Sequence, residues 1–242
     1  ARGYNENLPI AEVSVLGTMR GVQLGALQLN TLRYNAAANT IRVYNNIELE
    51  VSFTGADLAL TEKTLVNTYS PYFKTVYSTL FNEKAISDTY DEHPDLWAVP
   101  VKILVIANRM FEEAMEPWLT WKTEKGFYMD VNYTDEIGTS AAAIKSFIVD
   151  KYNQGLAEGQ TPTFLIIVGD NNRVPQSQMV AATNKVTDLY YYAVAGGASD
   201  YFPDMFHSRF TCETVEEFQN VIEKSMMYEQ YTMPDPSYLN NV

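Results

Sequence analysis

The chain has 242 residues, 46% of them hydrophobic and 13% aromatic, and a formal net charge of −13. That composition supports a buried core in one large or two ordinary domains, and the acidic balance argues against nucleic acid or an anionic membrane as partner. A lone cysteine rules out an intrachain disulfide, and no apolar run reaches the ~18 residues of a membrane span.

The first 56 residues read as all-β. Ala11-Glu-Val-Ser-Val-Leu16 and Val22-Gln-Leu-Gly-Ala-Leu-Gln-Leu29 alternate polar with apolar around a turn at Gly17-Thr-Met-Arg-Gly21. Leu32–Tyr34 and Thr40–Tyr44 flank a hairpin-like loop, and Ile47-Glu-Leu-Glu-Val-Ser-Phe53 keeps a period of two. Such alternation implies one buried and one wet face, an antiparallel meander or half-sandwich. A helix is predicted over Thr61–Phe81, broken by Pro71. Asn82–Pro100 is polar, charged and without periodicity, and reads as an exposed linker and domain boundary.

Beyond it, Val101-Lys-Ile-Leu-Val-Ile-Ala107 and Phe164-Leu-Ile-Ile-Val168 are short unbroken apolar runs, as in strands buried on both faces of a parallel sheet. Between them lie a helix over 111–125 ended by Gly126, a strand over 127–133, and a helix over 140–152 with Asp135 or Thr139 as cap. This βαβαβ order predicts a three-layer α/β unit. Further strands are predicted at Val186–Val194 and Met205–Phe210, and an amphipathic helix at Glu213–Tyr231. Ala1-Arg-Gly reads as the start of a processed or trimmed piece, and Tyr238–Val242 as the entry to another strand.

Few residues offer chemistry. His207 and Cys212 are the minimum for a thiol nucleophile and its base. If they share a strand, five positions put them on opposite faces roughly 16 Å apart at ~3.3 Å per residue, so a buried thiol and a surface histidine is the better reading. His93 has no visible partner. In Asp200-Tyr-Phe-Pro-Asp204 two carboxylates flank the carbonyl of Phe202, and Asp170 follows the central strand. Spacing alone leaves two readings, a solvated acidic turn and a Ca²⁺ site of hard oxygens. Gly196-Gly197 lacks the phosphate-binding context, and Trp118 with Trp121 at i, i+3 is a core pattern.

Pro117-Trp-Leu-Thr-Trp-Lys-Thr-Glu-Lys-Gly-Phe-Tyr128, Val131-Asn-Tyr-Thr-Asp-Glu136, Val168-Gly-Asp170, Val186-Thr-Asp-Leu-Tyr-Tyr191 and Asp200–Asp204 resemble the N-terminal subdomain of the gingipain catalytic domain, nearest its lysine-specific branch. Val15–Val22, Asn45–Phe53 and Ser70-Pro-Tyr-Phe73 resemble the C-terminal part of the gingipain propeptide. The resemblance implies a secreted or cell-surface cysteine endopeptidase with a caspase-like fold, made as a zymogen and cleaving after basic residues. It divides the chain into an all-β pro-segment over 1–84 and a mostly parallel three-layer α/β subdomain over 85–242. It implies a processing cut at Lys84–Ala85, and a β segment that shields the active-site face until then. It also implies a structural Ca²⁺ held by Asp170, Asp200, the Phe202 carbonyl and Asp204, with Ala198 where a further carboxylate belongs. No organic cofactor is implied. The family's catalytic histidine and cysteine lie C-terminal to the matched motifs, so the C-terminal remainder of the peptidase is the expected partner, with protein or peptide substrates. The rival reading is a non-catalytic secreted adhesion or inhibitory module that keeps the fold.

Overall fold

The computed structural model describes residues 9–52, 54–177, 187–197, 199–235 and 237. The chain begins with two β-hairpins. Strands β1 (Ala11–Met19) and β2 (Val22–Leu29) pair antiparallel, with a bulge between Val15 and Gly17. They turn through Arg20 and Gly21, both at positive φ (47° and 82°), the backbone of a tight two-residue hairpin loop. Strands β3 (Leu32–Asn35) and β4 (Thr40–Val43) form a separate two-stranded sheet. The expected meander is therefore two hairpins. Residues 47–52 alternate as a strand should but form none, and most of them are exposed. Alternation specifies which face to bury, yet a strand also needs an edge to pair with.

Helix α1 (Leu58–Asn67) is capped by the Asp57 side chain, which accepts from Leu60 N–H. Pro71 starts a 3₁₀ turn through Phe73 that continues into α2 (Lys74–Tyr77). The predicted linker is structured: it holds α3 (Glu83–Asp91) and a 3₁₀ turn at Pro94–Ala98. Two apolar residues suffice. Ile86 and Tyr90, one helical turn apart, are buried with Leu96 in a cluster containing Met19, Leu24, Leu65, Phe73 and Tyr77. That cluster spans both sides of the Lys84–Ala85 bond.

The main sheet has four parallel strands in the order β6-β5-β7-β8: β5 (Lys102–Ala107), β6 (Tyr128–Tyr133), β7 (Phe164–Val168) and β8 (Phe206–Phe210). Its central strands send Leu104, Ile106, Leu165 and Ile167 to one face, against Ile144, Ile148 and Tyr152 of α6 (Ala141–Glu158). Ile103, Val105, Ala107 and Val168 face the other way, against α4 (Glu112–Glu124) and α8 (Val215–Glu229). The result is the three-layer α/β arrangement read from the apolar runs. Helix α6 is capped by Ser140, one residue past Thr139, and ends at Gly159 in the left-handed region. The short α5 (Thr134–Ile137) precedes it. Leu189–Tyr192 is a helical turn, α7, in place of the predicted strand. Successive Tyr191 and Tyr192 are both buried there, which a strand with one covered face does not allow. Val186 and Tyr238–Val242 lie outside the described residues.

Candidate functional site

The densest polar constellation lies at the N-terminal edge of the sheet, where the β1–β2 turn meets the segments leading into β7 and β8. Arg20 at the tip of the turn is fully buried. Its Nε donates to Thr68 O (2.6 Å) and Nη1 to Pro162 O (2.6 Å) and Asp204 O (3.0 Å). Nη2 donates to Thr161 O (3.1 Å) and Thr163 Oγ1 (3.3 Å). All five guanidinium N–H groups thus meet oxygen, the condition for burying such a cation. The Phe73 ring lies 5.0 Å from Cζ.

The backbone of the turn is held by two carboxylates. Asp204 Oδ1 accepts from Arg20 N–H (2.6 Å), and its Oδ2 from Val194 N–H (2.6 Å) and Ala195 N–H (2.7 Å). Burial raises the Asp204 pKa against the pull of these three donors. Asp200 Oδ2 accepts from Thr18 N–H (2.6 Å) and Oδ1 from Phe202 N–H (2.9 Å). Gly17 makes this approach possible: a Cβ there would lie 2.5 Å from Asp200 Oδ1 and 2.7 Å from Phe202 Cδ2. Gly21 sits as closely on α1, with a Cβ position 2.7 Å from Thr64 Cγ2.

Asp170, the third carboxylate of the expected Ca²⁺ set, is at the opposite edge. It follows the C-terminal end of β7, whereas Asp204 precedes the N-terminal end of the parallel neighbour β8. At ~3.3 Å per residue, the intervening strand separates them by roughly 20 Å or more. Asp170 instead closes its own turn, Oδ1 accepting from Asn172 N–H (3.0 Å) and Arg173 N–H (3.1 Å). Among the described residues no group of three or more His, Cys, Asp or Glu could hold a metal ion. With the hairpin docked, Asp200 and Asp204 face amide hydrogens, a donor environment that does not fit a cation. The docked tip also lies on the N-terminal edge of the sheet rather than on the C-terminal edge, where α/β folds place ligands.

His207 and Cys212 do not meet. His207 on β8 lies at the surface with its ring stacked on Tyr192 at 3.5 Å, and the partial desolvation of the imidazole lowers its pKa. Cys212 is buried on the other face with Phe111, Val168 and Phe218. Its thiol donates to Phe210 O (3.2 Å), and burial pushes its pKa up to about 11. Lys84 occupies the first turn of α3 with its side chain 82% exposed, and its Nζ pairs with Asp88 Oδ1 at 2.5 Å. Ala85 follows it in the same turn, its N–H donating to Asn82 O (3.1 Å).

Sequence reasoning missed Arg20. The alternation around Gly17–Gly21 marked the turn, and the propeptide-like Val15–Val22 stretch includes it, but an arginine in a Gly-containing turn reads as solvated.

Comparison with known proteins follows the same two-part layout. The profile of peptidase family C25 matches residues 97–242. The chain belongs to peptidase family C25. Lys-gingipain W83 of Porphyromonas gingivalis is 50% identical over 235 residues, covering 96% of this chain and 13% of that protein. Gingipain R2 of the same species is 26% identical over 245 residues, covering 98% of this chain and 32% of its own length. The C25 chain described here thus spans about an eighth of Lys-gingipain. A solved structure described as "Structure of Protease" shares 52% identity with a TM-score of 0.54, covering 62% of this chain and 33% of that one. The family match covers β5 to α8, and the likeness to Lys-gingipain extends across the hairpins and α1 as well.

Proposed function

We propose that this chain is the C-terminal part of a pro-segment joined to the N-terminal α/β subdomain of a secreted, gingipain-like cysteine endopeptidase zymogen. Its catalytic histidine and cysteine belong to residues outside this chain. The observation that carries the reading is 50% identity to Lys-gingipain over 96% of the chain, across both the hairpin part and the α/β part. The wider gap to Gingipain R2, at 26%, favours cleavage after lysine. Within the reading, the parallel sheet supplies shape and rigidity. Cys212, inert and buried, takes no part in the chemistry. Lys84–Ala85 is the processing bond, presented by an exposed lysine.

The test uses the full-length protein and paired peptides ending in lysine or arginine, with and without a thiol alkylator. Alkylator-sensitive turnover of the lysine peptide is expected. Silence on both peptides overturns the enzyme in favour of a non-catalytic module that keeps the fold. In the same protein Lys84→Ala is expected to leave the precursor uncut, and normal maturation of that variant removes Lys84 from its role.

A further inference from the structure

We propose that the N-terminal edge of the sheet is a guanidinium socket that keeps the two sides of the Lys84–Ala85 bond joined once that bond is cut. The partner it fits is an Arg-Gly turn, here Arg20-Gly21 on the detached 1–84 piece. The proposal rests on the processing reading for its biological setting but not for its test.

Of the five bonds made by the Arg20 guanidinium, only that to Thr68 O stays within 1–84. The other four run to Thr161 O, Pro162 O, Thr163 Oγ1 and Asp204 O, all on the far side of the cut. Arg20 N–H and Thr18 N–H also cross, to the carboxylates of Asp204 and Asp200. Two further hydrogen bonds brace the rim, Thr161 Oγ1 to Asn67 O (2.6 Å) and Asn67 Nδ2 to Leu156 O (2.8 Å). Arg20 and Asp204 are both fully buried, so withdrawing the turn strips the guanidinium of four of its five acceptors and leaves Asp204 without one of its donors. A planar fork with five donors fits this ring of carbonyls, and an ammonium with three does not. Gly17 adds a constraint on register, because a Cβ there would lie 2.5 Å from Asp200 Oδ1 on the far side of the cut.

The experiment inserts a recognition sequence for a sequence-specific protease between Asn82 and Glu83 of the full chain. The folded protein is cut there and the pieces are followed by gel filtration. This cut does not depend on self-processing, so failure of the socket is distinct from failure of the processing reading. Cut wild-type pieces are expected to travel together. In Arg20→Ala the dissociation constant is expected to rise at least about thirtyfold, the loss typical of one partner removed from a buried charge contact. Methylguanidinium at non-denaturing concentration is expected to restore the complex and methylammonium is not, a distinction that a purely structural role for Arg20 does not predict. Should uncut Arg20→Ala fail to fold, Arg20→Lys takes its place with the same expected separation. Wild-type pieces that fall apart, variant pieces that stay as tight as wild type, or rescue by neither cation or equally by both, each overturn the proposal.

Discussion

Gly17→Ala and Gly25→Ala place the same methyl group on the same hairpin, and the structure predicts opposite signs. At Gly17 the new Cβ would sit 2.5 Å from Asp200 Oδ1, 2.7 Å from Phe202 Cδ2 and 2.9 Å from Asp200 Cγ. The carboxylate is fixed by Thr18 N–H at 2.6 Å and Phe202 N–H at 2.9 Å, so it yields only by giving up a charge-assisted bond. Overpacking costs about 1–3 kcal/mol and a weakened bond to a charged group about 1–2 kcal/mol more, together about 2–5 kcal/mol. At Gly25 the nearest atom is Ser14 O at 3.4 Å, the edge of ordinary contact, and Gly25 is not among the positive-φ glycines. There the substitution is expected to be neutral or to stabilise by up to about 1 kcal/mol, through the reduced freedom of the unfolded chain. Thermal denaturation followed by circular dichroism reads both. For a chain of this size about 2–4 °C per kcal/mol gives a fall of about 4–20 °C for Gly17→Ala and little change for Gly25→Ala. Urea midpoints with unchanged slopes would show that stability alone has moved. Equal effects at the two positions, or a harmless Gly17→Ala, would refute the docking of the hairpin on Asp200.

Leu165, fully buried at the centre of β7, is expected to cost about 3–5 kcal/mol on change to alanine, read as a lowered urea midpoint. Cys212 is expected to resist iodoacetamide at pH 8 in the folded protein and to label fully in denaturant, because its pKa of about 11 keeps it a thiol. Lys145, which donates to Ala193 O at 2.8 Å and lies 4.6 Å over Tyr190, has its pKa lowered to about 8 by burial. The folded state then releases its proton near pH 8 and the unfolded state near 10.5. Stability should rise with pH between those values, by on the order of 1 kcal/mol after discount for solvent screening. The rise should vanish in Lys145→Met, measured by urea denaturation across that range.

The α/β half was legible because its two central strands are apolar on both faces, and runs such as Ile103–Ala107 and Leu165–Val168 admit few other placements. The hairpin at Gly17–Gly21 was legible for a different reason, alternation on either side of a glycine-bearing turn. What escaped were features fixed by distant contacts. Helix α3 rests on two residues whose partners, Leu65 and Tyr77, come from another part of the chain. The helical turn at Leu189–Tyr192 has aromatic composition that suits a strand, until the sheet is found to end at β8 among the described residues. The acidic turn at Asp200–Asp204 showed its carboxylates but not their ligands. Sequence proximity suggested a cation, and the structure supplies the Thr18 and Arg20 amides of a hairpin some 180 residues away in sequence.

Lys84 and Ala85 lie within a helical turn, and peptidases grip their substrates as extended strands. A cut there must wait for the start of α3 to unwind. Below it Ile86 and Tyr90 are pinned in the core, while Glu83 and Lys84 are held at the surface by little more than the Lys84–Asp88 contact. Melting can therefore stop after a single turn, and the susceptibility of this bond is set by the fraying of a helix end rather than by the stability of the fold beneath it.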